Sequence, residues 1–151
     1  MKAKTRLFGE IDIAEDKLIT LESGMIGLPE MQKFALIFDE EKEGKIKWFQ
    51  SMDDPETAFP VMDPMIIKED YAPTVNDELL QPLGELTPEN TFVLSTITVP
   101  KNIEEMSINL KAPIIINMDT HKGAQIIVDD EFPVKYKIYE LLKSRKEKAG
   151  E

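Results

Sequence analysis

Asp53-Asp54-Pro55-Glu56 puts three carboxylates within four residues of a loop-like stretch of this chain. Hard divalent cations such as Ca²⁺ and Mg²⁺ take oxygen ligands of this kind. Two carboxylates can also divide general-acid and general-base work, given a pocket that separates their pKa values. The alternating D-x-D-x-D-G spacing of a calcium loop is missing, however. An aspartate that caps backbone N–H groups beside a proline that fixes φ is turn chemistry. The turn is therefore the leading reading, and turns can be docking surfaces because loops carry function.

The second candidate is His121, the sole histidine of a chain without cysteine. Disulfides, thiolate zinc sites and cysteine nucleophiles are excluded, and any Ser-His-Asp triad or histidine-containing metal site must use His121. It follows Asp119-Thr120 and precedes Lys122-Gly123, so it reads as an exposed turn histidine. A metal-dependent enzyme built from Asp53, Asp54 and His121 is the enzymatic alternative. Gly24-Met25-Ile26-Gly27 lacks the third glycine and the strand-to-helix context of a nucleotide fingerprint, and reads as a tight loop. No P-loop, G-x-S-x-G or H-E-x-x-H pattern occurs. Met25, Met52, Met62, Met65, Met106 and Met118 lie near expected turns or strand ends, and read as core filling before adaptable binding surface.

The chain has 151 residues, the length of one domain, with 42% hydrophobic and 31% charged residues. Its net charge of −11 is unevenly spread: residues 1–131 carry −14 and the stretch from Phe132 onward carries +3. An anionic body repels phosphate backbones, which argues against direct nucleic-acid binding and against a nucleic-acid barrel of the OB sort. The same body attracts basic protein surfaces and speeds encounter with them. No apolar run is long enough to span a bilayer, and the basic start Met1-Lys2-Ala3-Lys4 leads into no apolar signal region, so a cytoplasmic protein away from membranes is expected.

The elements that must position these residues are mostly strands. Leu7, Gly9, Ile11 and Ile13 alternate with Arg6, Phe8, Glu10 and Asp12, which predicts a strand over Arg6–Ile13. Ala14–Lys17 reads as a turn and Leu18–Leu21 as the strand completing that hairpin. Phe34–Phe38 and Lys45–Gln50 predict a second hairpin around the charged tip Asp39–Gly44. Ala58–Met62 follows the acidic turn, and Pro60 predicts an edge or bulged strand. Asn76 is the expected N-cap of a short helix with Leu79, Leu80 and Leu83, ended by Gly84. Thr91–Val99, Ser107–Ala112, Ile114–Ile116 and Gln125–Val128 complete the strands. From Val134 the period turns helical, with Val134, Ile138, Leu141 and Leu142 as one stripe and Lys143, Arg145 and Lys146 off it. About eight strands in hairpins favour a small barrel whose open end the last helix covers.

Together the motifs resemble a known family. Phe8-Gly9-Glu10-Ile11 comes first, then Gly24-Met25-Ile26-Gly27-Leu28-Pro29-Glu30 and Trp48-Phe49-Gln50-Ser51-Met52-Asp53-Asp54-Pro55. Ala58-Phe59-Pro60-Val61-Met62-Asp63-Pro64, Thr98-Val99-Pro100 and Met106-Ser107-Ile108-Asn109-Leu110-Lys111-Ala112-Pro113-Ile114 follow. Lys122-Gly123-Ala124-Gln125 and Phe132-Pro133-Val134 close the series. In this order they resemble the bacterial flagellar assembly factor family FliW over about residues 5–135. The chain departs from that pattern at Lys135-Tyr136, where the family often carries an arginine-histidine pair.

The resemblance implies a small antiparallel pseudo-barrel, mainly β, capped by a C-terminal α-helix. It implies one FliW-like domain over 1–151, with the barrel body at about 5–131 and the helix at about 134–147. It implies no enzyme activity, no cofactor and no metal. The implied partners are flagellin, the filament protein, and CsrA, an RNA-binding translational regulator, which compete for a cytoplasmic regulator that is a monomer when free. Contact residues are expected at Gln50, Ser51, Asp53, Asp54, Asp63, Glu69 and Asp70.

Overall fold

Alternation along the strands sorts the apolar residues into an inside and an outside. The computed structural model describes residues 2–5, 9–14, 18–38 and 46–141. Its strands are β1 (Lys2–Thr5), β2 (Gly9–Asp12), β3 (Ile19–Leu21), β4 (Lys33–Phe38), β5 (Lys47–Ser51), β6 (Ala58–Met62), β7 (Thr91–Thr98), β8 (Ser107–Ile108), β9 (Ile114–Asn117), β10 (Lys122–Gln125) and β11 (Tyr136–Lys137), with the single-turn helix α1 at Asp77–Leu80. Seven of these close into a barrel: β7-β6-β5-β4-β3-β10-β9, with β9 pairing back onto β7. The mainly β barrel is thus observed. Its ladders are antiparallel except at one seam, where β3 and β10 run parallel with Thr20 opposite Lys122 and Leu21 opposite Gly123.

One face of each barrel strand fills the interior. Ile19, Leu21, Phe34, Phe49, Val61, Leu94, Ile114 and Ile116 meet there, and Phe34 stacks on Phe49 with ring centroids 4.2 Å apart. The neighbours in sequence point the other way, yet many are apolar too. Ala35 and Ile37 pack under Ile11, Ile13 and Leu18, which the β1–β2 hairpin and the chain after it lay across the outside. Val93 and Ile115 pack under Val75, Leu80 and Leu83 from the α1 region. Burying one such side chain contributes about 1.5–3 kcal/mol, so these outer covers are part of the fold's stability. Beyond the barrel, β8 and β11 extend from the C-terminal half of β7 as a ledge. It covers a further cluster that includes Met62, Ile97, Ile108 and Ile138.

The Gly24–Pro29 loop closes one barrel end. Met25 and Met31 enter the interior cluster, and the Leu28 N–H returns to the Met25 carbonyl at 2.8 Å. Gly24 has φ +70 and a Cβ there would stand 2.5 Å from the Pro29 carbonyl oxygen, so only glycine fits. Four of the six methionines singled out by position, Met25, Met52, Met62 and Met106, are buried as core fillers, while Met65 and Met118 are exposed.

Several elements differ from the sequence expectation, each for a reason of long range. The strand expected over Arg6–Ile13 appears as β2, and it pairs with β1, not with Leu18–Leu21; Arg6–Phe8 and residues 15–17 lie outside the described residues. β3 pairs instead with β4 and β10, because only there do Ile19 and Leu21 reach the interior. β6 is flanked on both sides, so it is no edge strand. Its ladder with β7 involves only Val61 and Met62, which leaves Pro60 just outside the stretch where a missing N–H would cost a bond.

The regular alternation of Ser107–Ala112 yields only the short β8, because Asn109 Oδ1 accepts from the N–H groups of Lys111 and Ala112 and turns the chain. The strand expected at Gln125–Val128 instead runs over Lys122–Gln125, and Ile126–Val128 lie beyond its end. Helical periodicity from Val134 also loses: Tyr136–Lys137 pair with β8, and helical residues begin at 139, so 134–138 are not helix. Strand pairing there puts Ile138 into the ledge core and leaves Val134 58% exposed. The charged tip at 39–44, along with Leu142, Lys143, Arg145 and Lys146, lies outside the described residues. The expected hairpin of β4 and β5 and the helix after Asn76 are both present, Asn76 capping α1 by accepting from the Glu78 N–H.

Candidate functional site

The acidic turn after β5 is built from its own backbone outward. A chain reversal between two strands leaves N–H groups with no ladder partner, and side-chain oxygens take them. Ser51 Oγ accepts from the Asp54 N–H at 2.9 Å. Asp54 accepts from the Glu56 N–H at 3.2 Å and from the Thr57 hydroxyl at 2.9 Å. Asp53 reaches sideways: one carboxylate oxygen accepts from the Gln32 and Lys33 N–H groups, both at 2.8 Å. It thereby clasps the end of the Gly24–Pro29 loop to the β5–β6 turn. Gln50 is fully buried, its amide nitrogen donating to the Ser51, Pro55 and Thr57 carbonyls at 2.8, 3.0 and 3.1 Å.

The other expected contact residues lie elsewhere. Asp63 follows the far end of β6, a five-residue strand roughly 17 Å long. Its carboxylate accepts from the Met65 N–H at 2.9 Å and caps the turn at Pro64–Ile66. Glu69 and Asp70 are exposed in the next turn. Lys68 hydrogen-bonds Asp70 at 3.1 Å and holds its carboxyl below the usual aspartate value. The seven residues therefore form two groups, Gln50, Ser51, Asp53 and Asp54 at one end of β6 and Asp63, Glu69 and Asp70 past the other.

Just behind Asp70, Tyr71 is buried. Its hydroxyl donates to the Leu110 carbonyl at 2.6 Å and its ring meets Phe132 edge-on at 4.8 Å. Burial, with the nearby Asp130 carboxylate, pushes the phenol up to about 12. Asp130 in turn accepts from the Thr74 N–H at 2.6 Å, and Lys111 Nζ donates to the Asp130 carbonyl at 2.7 Å. The 63–75 segment is thus strapped across the ledge.

His121 sits on the β9–β10 turn with φ +58, its N–H on the Asn117 carbonyl and its carbonyl accepting from the Thr20 N–H. That turn lies at the N-terminal end of β7, and the β5–β6 turn lies at its C-terminal end. Around the other side of the barrel the path is shorter: Thr20, whose N–H His121 accepts, lies opposite Lys33, whose N–H reaches Asp53, so β3 and β4 stand between His121 and the acidic turn. Among the described residues no group of three or more His, Asp or Glu side chains converges where a metal ion could sit. Beside His121, buried Asn117 donates to the Leu83 and Glu85 carbonyls and accepts from the Asp119 and Thr120 N–H groups. Asn117 was not among the expected positions; an asparagine closing the apolar run Ile114-Ile115-Ile116 was the available signal.

A model of the family described as FliW protein matches residues 2–138 of the chain. The chain belongs to the FliW family. It is 48% identical over 147 residues to a protein named flagellar assembly factor FliW from Lachnospira eligens, covering 95% of this chain and 97% of that one. A protein of the same name from Lachnoclostridium phytofermentans is 40% identical over 151 residues, with 98% and 97% covered. A crystal structure of the flagellar assembly factor FliW superposes with a TM-score of 0.84 at 25% identity, covering 92% of this chain and 97% of the other. The FliW match spans both acidic turns, the Gly24–Pro29 loop, the ledge and β11. No helix among the described residues is long and apolar enough to cross a membrane.

Proposed function

We propose that this chain acts in flagellar assembly as a cytoplasmic protein-binding regulator and not as an enzyme, taking flagellin and CsrA as competing partners. The observation that carries this reading is the FliW match over residues 2–138, on a barrel that keeps the architecture of a flagellar assembly factor. Binding CsrA releases flagellin synthesis from repression, and free flagellin displaces CsrA and restores it. The acidic body supports a basic, RNA-binding partner through charge. Glu69 and Asp70 support it locally, because they are exposed carboxylates on a segment that the strap at Tyr71 and Asp130 holds in place. Asp63 contributes position, and Gln50, Ser51, Asp53 and Asp54 shape the second contact turn.

Calorimetric titration of the folded chain with CsrA and with flagellin tests the reading. Heat with both, and loss of the CsrA signal after flagellin is added, is expected. No heat with either partner overturns it. If charge steers CsrA, association slows as added salt shortens the screening length below about 8 Å.

A further inference from the structure

β11 is the outermost strand of the sheet, and among the described residues it pairs on one side only, with β8. The ladder says which backbone groups face away. The Ile138 N–H donates to the Met106 carbonyl, and Tyr136 stands opposite Ile108 in the same register. In an antiparallel ladder, alternate residues exchange bonds and the residue between them turns its N–H and C=O outward. That residue is Lys137. Its backbone groups lie on the open edge of a sheet that runs through β8 and β7 into the barrel.

The side chains alternate with the backbone. Tyr136 and Ile138 pack into the ledge core, whereas Lys135 and Lys137 are exposed. Val134, just before the strand, adds exposed apolar surface. Lys137 Nζ already holds the Glu105 carboxylate at 3.1 Å, so a carboxylate on this face is a contact the surface makes within the chain.

An open edge accepts extended chain, and its side chains choose which. A second copy pairing β11 with β11 sets lysines against lysines, and like charges opposite one another destabilise a strand pair. A strand with carboxylates at alternate positions meets opposite charge at the same places. We propose that the free edge of β11 is a strand-addition site for an extended segment of a partner protein carrying acidic residues at alternate positions. The proposal stands apart from the partner reading above, since it rests on the ladder and charges of β11 alone.

Blocked peptides alternating valine with glutamate, or valine with lysine, serve as probes against the full chain, with amide exchange read at Lys137 by NMR. The glutamate peptide is expected to slow Lys137 exchange roughly tenfold at about ten times its Kd. The lysine peptide is expected to leave it unchanged. Lys137→Pro deletes the outward N–H while keeping the bonds to β8, a change an edge strand accommodates. It is expected to abolish binding of the glutamate peptide, and Lys137→Gln to weaken it. Absent binding of the glutamate peptide, equal binding of both peptides, or binding that leaves Lys137 exchange unchanged each overturns the proposal. Should Lys137→Pro fail to fold, exchange in the unaltered chain decides alone.

Discussion

Ser51–Thr57 and Asp63–Asp70 look alike as sequence: each is a short acidic stretch with a proline, and β6 separates them. The fold uses their carboxylates in opposite ways. In the first stretch Asp53 and Asp54 are engaged by four donors, three of them backbone N–H groups, and Gln50 is buried beneath. In the second, Asp63 caps a turn, while Glu69 and Asp70 face water and Lys68 pairs with Asp70. The difference follows from what each turn leaves unpaired. A reversal joining two strands of a closed barrel has surplus N–H groups beside it, and a carboxylate within reach takes them. A segment strapped down by Tyr71 and Thr74 meets its backbone needs elsewhere, so its carboxylates stay available.

Substitutions that separate stability from binding sharpen this contrast. The largest effect is expected at Gln50. Gln50→Leu removes the donor shared by three carbonyls in a buried setting and should cost about 2–3 kcal/mol in a urea melt. Asp53→Ala unfastens the clasp between the β5–β6 turn and Gln32-Lys33, with an expected loss of about 1–2 kcal/mol. An unchanged melt together with lost partner binding would instead make Asp53 a free contact residue and break the comparison.

Tyr71→Phe removes one hydrogen bond, expected to cost about 1 kcal/mol at neutral pH. Its sharper signature is alkaline. The folded phenol titrates at about 12 against 10.0 for a free tyrosine. The folded state therefore keeps its proton more tightly, and this contribution is complete below pH 10 and fades as pH climbs toward 12. Urea melts through that window should fall for the unaltered chain and lose that component in Tyr71→Phe. The smallest effect on folding is expected at the second stretch. Lys68→Met should return the Asp70 carboxyl to its ordinary titration by NMR with no resolvable change in the melt. Glu69→Lys with Asp70→Lys should likewise leave the melt in place while weakening CsrA binding. A drop in stability there would mean that the two stretches are not different in kind.

Much of the fold was legible because burial leaves a local imprint. Short apolar or β-branched runs located β4, β7 and β9, the alternation of Ile46 and Trp48 located β5, and Asn76 with Gly84 bracketed the helical turn. The candidate site was legible only in part. Asp53-Asp54-Pro55 read as a turn and is one, but nothing local says that Asp53 reaches Gln32, some twenty residues back. His121 read as an exposed turn residue and is half-buried in one, its turn built on Asn117, a residue whose neighbours in sequence give no hint of Leu83 or Glu85.

By itself the sequence determined that this is a strand-rich, acidic chain without cysteine chemistry, because composition and periodicity are properties of single residues and near neighbours. Only the tertiary structure decided that β2 turns to β1, that β3 meets β10 in parallel, and that both faces of β4, β7 and β9 are covered. It also decided that Tyr136 and Lys137 form a strand where the local pattern favours a helix. Periodicity records which face of a segment is buried. It carries no label for what buries it, and the partners that do so lie far away along the chain.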